Sequence, residues 1–373
     1  MNRLILIGNG FDLAHGLKTS YHDFILDYLK GCIKKALDDL KIKRESRIFR
    51  VLYFDDLIEI RVLNTDNYYY ETHPIKNIEE IKHQTLYVDS IKNIEILIKS
   101  INVDIKYLGD GFSESMFNEL ITNNWVDVES IYYQELKKII PQFQDYKSGK
   151  NRNDHVIINR IRNLNKQLDF IKDKLKEYLT KVQSEGFQRI DEIEKIIYNT
   201  HPVTNTPNKI LFLNFNYTNI AEKYATTTNA DLINIHGQLL DISNEIIFGY
   251  GDEVDKNYKE IEDLNENEFF KHIKSFDYFK TSNYKDLLRF INDDLFEVFV
   301  MGHSCGLSDR TLLSSIFEDK NCLSIKIFDY RKDPNNYRDK TYEISRHFKD
   351  KESMRRKIVE LKKCSPMPQH DEK

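Results

Sequence analysis

The sequence predicts an α/β fold in which a mostly parallel, Rossmann-like sheet is interrupted by a large helical insertion. Three observations carry this. Short apolar runs followed at once by Gly-, Asn- or His-bearing turns occur near the N-terminus and again after Lys209. Helical patterns fall between several of these runs, the alternation expected of a parallel sheet. From about 40 to 205, glycine is scarce, charge is dense and β-type runs are few.

Taken in order, Leu4-Ile5-Leu6-Ile7 is a continuous apolar run of the kind buried on both faces of a sheet. The turn Gly8-Asn9-Gly10-Phe11-Asp12 follows, and helical spacing begins at about Ser20 and continues through Leu29. Residues 45 to 110 alternate short apolar runs with Asn, Asp and Lys and support no firm assignment. The lone tryptophan, in Trp125-Val126-Asp127-Val128-Glu129, reads as a packing anchor at the start of a helix. Over 153–183, Ile157, Ile158, Ile161, Leu164, Leu168, Ile171, Leu175 and Leu179 recur mostly three or four apart, which predicts a long amphipathic helix. Residues 201–209, with two prolines and turn-forming polar residues, read as a connector.

Strand-type runs then return at Ile210–Leu213, Leu232–Ile235, Glu245–Gly249, Phe296–Met301 and Ser324–Asp329, with a helix starting near Thr218. The tail after Cys364 reads as disordered. The implied division is 1–35 as the first strand and helix of a nucleotide-binding domain and 36–205 as a mainly helical insertion. Residues 206–364 form the rest of the domain and 365–373 the tail.

At 373 residues, the chain can bury one large core or two. A net charge of −5 disfavours a nucleic-acid-coating protein. Cys32, Cys305, Cys322 and Cys364 are far apart, no signal peptide precedes the first strand, and no run approaches the ~20 apolar residues of a membrane span. These features predict reduced thiols in a cytosolic protein with a native N-terminus. No His-Glu-x-x-His or other metal-ligand array stands out. The long amphipathic helix leaves room for a homo-oligomer.

The candidate site residues follow from where the runs end. In an open parallel sheet, ligands bind beyond the carboxyl ends of the strands. Gly8 and Gly10 would let a turn bring N–H groups close to a phosphate, although the third glycine of the dinucleotide fingerprint is absent. Asp12 could accept from a ribose hydroxyl or cap the next helix. Asn214 and Asn216 straddle Phe215, so in an extended chain both amides share a side and Phe215 faces the core. Such amides suit a ribose hydroxyl or a water, or else cap a helix, a role that Thr218 fits better. His236, beside Gly237, could take a proton from a sugar hydroxyl or a water; the alternative is a histidine bonded to a loop carbonyl. In Gly302-His303-Ser304-Cys305-Gly306, His303 or Ser304 could touch ribose or phosphate, and Asp309 could cap a helix. The same five residues fit Gly-x-Ser-x-Gly, but no acid and downstream histidine complete a serine hydrolase.

Together these segments resemble the AbiH family of bacterial phage abortive-infection proteins. The opening Gly8-Asn9-Gly10-Phe11-Asp12-Leu13-Ala14-His15-Gly16-Leu17-Lys18-Thr19-Ser20-Tyr21 is the most specific part. Trp125–Glu129, Asn214–Thr218, His236-Gly237 and Gly302-His303-Ser304 are similar to that family in the same order. The order also resembles, more distantly, the sirtuin-like fold that binds NAD. Matched to it, Asn216-Tyr217 takes the place of the Asn-Tyr and His236 that of the active-site histidine. Thr218 replaces an aspartate, and the zinc-binding cysteines are missing.

That resemblance implies an anti-phage NAD hydrolase in which His236 is the general base and Asn216 orients the attacked group. Gly8, Asn9, Gly10, Phe11, Asp12, Asn214, Tyr217, Gly302, His303 and Ser304 would line the pocket. NAD or a related nucleotide would be the substrate, with no further cofactor, no metal and no membrane, and a phage-derived trigger would release activity. The alternatives are a non-catalytic nucleotide-binding sensor and a nuclease toxin.

Overall fold

A computed structural model describes residues 1–43, 51–62, 78–109, 111–123, 127–149, 154–198, 206–228, 230–330, 333 and 335–370. In chain order they form β1 (Asn2–Ile7), α1 (Asn9–Ala14), α2 (Tyr21–Lys43), β2 (Val51–Phe54), β3 (Ile58–Val62), α3 (Ile78–Tyr87) and α4 (Ile91–Lys99). Next come β4 (Val103–Tyr107), α5 (Phe112–Asn123), α6 (Val128–Lys147), α7 (Asp154–Ser184), α8 (Asp191–Tyr198), β5 (Ile210–Asn214), α9 (Ile220–Thr228) and β6 (Asp231–Asn234). The chain closes with α10 (Lys256–Leu264), α11 (Lys274–Asp277), α12 (Asn283–Asp293), β7 (Phe296–Met301), α13 (Arg310–Phe317), β8 (Cys322–Phe328), α14 (Asn336–Arg346) and α15 (Lys351–Lys357). Trp125 and the 201–205 part of the connector lie outside the described residues.

The chain divides into two units: residues 1–20, 176–266 and 270–373 make the first, and 21–175 with 267–269 the second. The first is built on a five-stranded sheet, order β6-β5-β1-β7-β8, with every pairing parallel. Counted along the chain this is 3-2-1-4-5, so the winding reverses between β1 and β7, where such sheets open a crevice for ligands. β1 holds the centre because all six of its residues are buried, as a strand covered on both faces requires. Even Arg3 is accommodated: its guanidinium pairs with Glu297 on β7 and stacks over Phe299. Leu4, Leu6, Leu213, Val298, Val300 and Ile325 then pack with Phe290 of α12 and Leu313, Ile316 and Phe317 of α13 in one core.

Three expectations are corrected. Residues 245–249 are not a strand of the sheet: they are irregular chain that bonds to the site segment through Ile247 N–H to the His236 carbonyl, 2.9 Å. Only a short connection separates them from β6, and a parallel crossover needs a dozen or more residues. The tail is not loose through 365–370. Pro366 bridges Asp329, Met367 is buried, and His370 N–H donates to the Ala14 carbonyl at 2.7 Å. The glycine-bearing turn is itself the start of a short helix, with Gly8 the residue before α1.

The second unit contains the expected helices and also an antiparallel sheet, order β2-β3-β4. Its first turn is organised by Asp55, which accepts from the N–H groups of Leu57 and Ile58 and from the hydroxyls of Tyr28 and Tyr53. α2 belongs to this unit from Tyr21, and the last residues of α7, from Lys176, belong to the first. None of the four cysteines is in a disulfide, and all four are buried. Among the described residues, no helix is long and apolar enough to cross a membrane.

Candidate functional site

All the sequence-selected residues sit in the first unit, on segments that leave the carboxyl ends of its strands. Segment 8–12 leaves β1, 214–218 leaves β5, His236 follows β6 and 302–304 follows β7. Two polar clusters form there, joined by the turn Asn214-Phe215-Asn216 that follows β5.

The first cluster is built on Asp12. Its carboxylate accepts from Asn216 Nδ2 at 2.7 Å and from Thr218 Oγ1 at 2.6 Å. Asn216 Nδ2 also donates to the Gly8 carbonyl at 3.0 Å, so both of its hydrogens are engaged. Asn214 holds the loop itself: its Nδ2 donates to the Asn216 carbonyl and to Asn234 Oδ1, and its Oδ1 accepts from Asn216 N–H. Among the described residues, no N–H of α9 donates to the Thr218 hydroxyl, which gives its own hydrogen to Asp12. Burial pushes the Asp12 carboxyl up to about 7, against the two hydrogen bonds, which favour the charged form.

The second cluster is reached through Phe215, whose buried ring packs on His236 and His303 with centroids 5.2 and 4.1 Å apart. His236 Nε2 lies 3.1 Å from Asp309 Oδ1 and 3.3 Å from the Tyr278 hydroxyl. The Phe215 backbone carbonyl is a further partner of this imidazole. Asp309 Oδ1 also accepts from Lys274 Nζ at 2.8 Å, and its Oδ2 is 3.6 Å from His303 Nε2. His303 Nδ1 accepts from the Cys305 N–H at 2.9 Å, so the neutral ring carries its proton on Nε2, toward Asp309.

The electrostatics follow from burial. Desolvation holds His236 below the ordinary histidine value; Lys274 adds to this and Asp309 opposes it. Desolvation likewise takes His303 down to about 3. Burial works to raise Asp309, but Lys274 and the two imidazoles outweigh it and hold the carboxyl well below its ordinary value. The resting cluster is thus a buried Lys–Asp ion pair beside two neutral histidines.

The glycines serve close packing. A Cβ on Gly8 would lie 2.4 Å from His303 Cα, and one on Gly302 (φ +78°) would lie 2.1 Å from Phe11 N. The N–H groups of Gly8 and Gly10 donate to the Met301 and Gly302 carbonyls, which leaves neither as a ready phosphate donor. Phe11 is buried against His15 and Tyr224. His15 completes a closed chain: it bonds the Phe11 carbonyl and the Tyr224 hydroxyl, which accepts from Ile190 N–H. Asn9 and Ser304 are exposed, and Tyr217 donates to the Ile247 carbonyl. The left-handed backbone next to Ser304 falls on Gly302 and Cys305 (φ +58°), not on the serine as a nucleophile elbow requires. Burial pushes the Cys305 thiol up to about 12.

The structure therefore joins Asp12, Asn216 and Gly8 directly, and His236 and His303 through Phe215 and Asp309. Among the described residues, no hydrogen bond links Asn216 to His236. Sequence reasoning missed Lys274 and Tyr278, which leave no pattern of their own. It saw Asp309 only as a cap, yet Asp309 makes no side-chain cap bond to α13. Among the described residues, no group of three or more His, Cys, Asp or Glu is placed to hold a metal ion.

Comparison with known proteins agrees with the opening motif. A family model described as "Bacteriophage abortive infection AbiH" matches residues 4–330, and the chain belongs to that family. No curated protein matches it.

Proposed function

We propose that this AbiH-family abortive-infection protein binds NAD along the carboxyl edge of its parallel sheet and hydrolyses the nicotinamide–ribose bond. The observation that carries the reading is the convergence of Asp12, Asn216, His236 and His303 beyond the strand ends that flank the winding reversal. That edge is the general ligand position of such sheets. A dinucleotide is extended enough to meet both clusters, with the reacting ribose lying between Asn216 of one and His236 of the other.

Cleavage builds an oxocarbenium-like centre at the ribose, as in glycoside hydrolysis. Nicotinamide leaves as a neutral ring from a cationic one, so no strong general acid is needed. His236, held neutral by burial, is the base toward a ribose hydroxyl or the attacking water. Asn216 orients that group with its carbonyl oxygen, its amide hydrogens being committed to Gly8 and Asp12. The resemblance to the sirtuin-like fold supports the same assignment. His236 and Asn216 are both almost fully buried, so substrate entry requires the edge to open. This suits an enzyme that is silent until a phage-derived trigger acts.

A second reading is favoured by the contacts of His236. Its imidazole already bonds Tyr278 and Phe215 and faces Asp309, as in a structural histidine. On this reading the protein is a sensor that holds a nucleotide without cleaving it. Calorimetric NAD titration, run beside a nicotinamide assay on the same samples, separates the two. Binding with release supports hydrolysis, binding without release in any state supports the sensor, and no binding removes both.

A further inference from the structure

We propose that Asp309 and Lys274 are a pair of positioning residues for His236: the carboxylate receives the imidazole when it takes up a proton, and the ammonium adds to burial in keeping it neutral until then. The inference rests on the reading of His236 as the base.

The geometry is the reason. One oxygen, Asp309 Oδ1, is shared by Lys274 Nζ at 2.8 Å and His236 Nε2 at 3.1 Å. All three side chains are buried, at 9% exposure or less, so solvent screens none of these interactions. A buried carboxylate alone at that distance would draw a proton onto the ring and abolish the base. A buried ammonium alone would keep the ring neutral but leave the imidazolium formed in the reaction without a counter-charge. With both present, the resting ring is neutral, and a proton arriving at Nε2 lands within hydrogen-bond reach of a carboxylate. The proton reaches Nε2 through the Tyr278 hydroxyl, 3.3 Å away: the O–H of the attacked group breaks, the Tyr278 oxygen takes that proton and its own passes to Nε2.

Other groups face the ring. The Tyr278 hydroxyl and the Phe215 carbonyl bond it, and His303 stands on the other oxygen of Asp309. Lys340 lies behind His303, donating to its carbonyl at 2.8 Å, and Arg310, next to Asp309 in sequence, pairs instead with Asp252. None of these places a second charge on the shared oxygen. The placement of Asp309 points the same way, since it occupies a cap position without capping.

The test follows the His236 ring resonance against pH in the full chain, labelled with ¹³C-histidine and assigned by His236→Gln. Asp309→Asn, which leaves Lys274 unopposed, is expected to lower the His236 midpoint by about one pH unit or more, a tenfold change. Lys274→Met is expected to raise it by as much, and the double variant to return it near the wild-type value. Shifts of the same sign, or no shift, overturn the proposal, because a role confined to packing moves neither midpoint. Thermal melts report folding; if Lys274→Met does not fold, Asp309→Asn alone decides, since its shift must be downward. Nicotinamide release is measured on the same proteins. Opposite shifts without release in any protein leave the charge pair standing and remove the base; release with unmoved midpoints does the reverse.

Discussion

At the scale of single residues, the site is legible by type and illegible by partner. His236, Asn216 and Asp12 stand out because each follows an apolar run whose end marks the sheet's carboxyl edge. What they bond to comes from segments as far as 208 residues away, and no spacing rule reaches that far. Thr218 shows the failure: it has the chemistry and place of a helix cap, but its hydroxyl hydrogen goes to the buried Asp12 carboxylate, 206 residues away in sequence. Asp12 also gives a pH test. Its carboxyl is raised in the folded state to about 7 from an ordinary 3.8, so the linked stability is fully present below about pH 4 and lost as pH rises to 7. Urea unfolding should show wild-type stability falling between about pH 4 and 7, by up to about 1.4 kcal/mol per unit from this group, and levelling off above that. Asp12→Asn should flatten that fall; an unchanged slope would show that Asp12 is ionised throughout.

Among the elements, strands and long helices were the readable part, because continuous apolar runs and three-to-four spacing report burial directly. β1, β5, β6, β7, β8 and α7 fall where those patterns put them. The run at 245–249 misled because a short apolar run reads alike whether it joins a sheet or packs as irregular chain beside the site. The strands of the second unit stayed hidden because β2 and β3 are short and separated by an Asp-rich turn. Glycine positions yield a paired prediction. Gly16 and Gly302 share a left-handed φ, but a Cβ meets open space at Gly16 and the backbone of Phe11 at Gly302. Gly16→Ala should cost about 1 kcal/mol, the conformational term alone. Gly302→Ala should cost at least ~3 kcal/mol and separate the β1 and β7 turns. Equal melting shifts for the two would refute the close packing of those turns.

For the whole molecule, the sheet's order could not be read from the sequence, since pairing depends on which runs share a core. That order decides which loops meet, and here it places the β1 and β7 turns side by side at the winding reversal. The tail was misread because composition alone says nothing of Met367, whose side chain is buried against the first unit. Removing residues 365–373 should cost about 1.5–3 kcal/mol, the order of one buried methionine, and lower the melting temperature by several degrees. A melt unchanged by truncation would return the tail to the loose state its composition suggests.

The central claim is that the carboxyl edge cleaves NAD with His236 as base. The direct measurement is nicotinamide release from NAD by the purified protein and by His236→Ala, each with and without lysate from phage-infected cells. Release by the wild type, at least 10²-fold lower in the variant, is the expected result. Release that His236→Ala retains, or none under either condition, would contradict it.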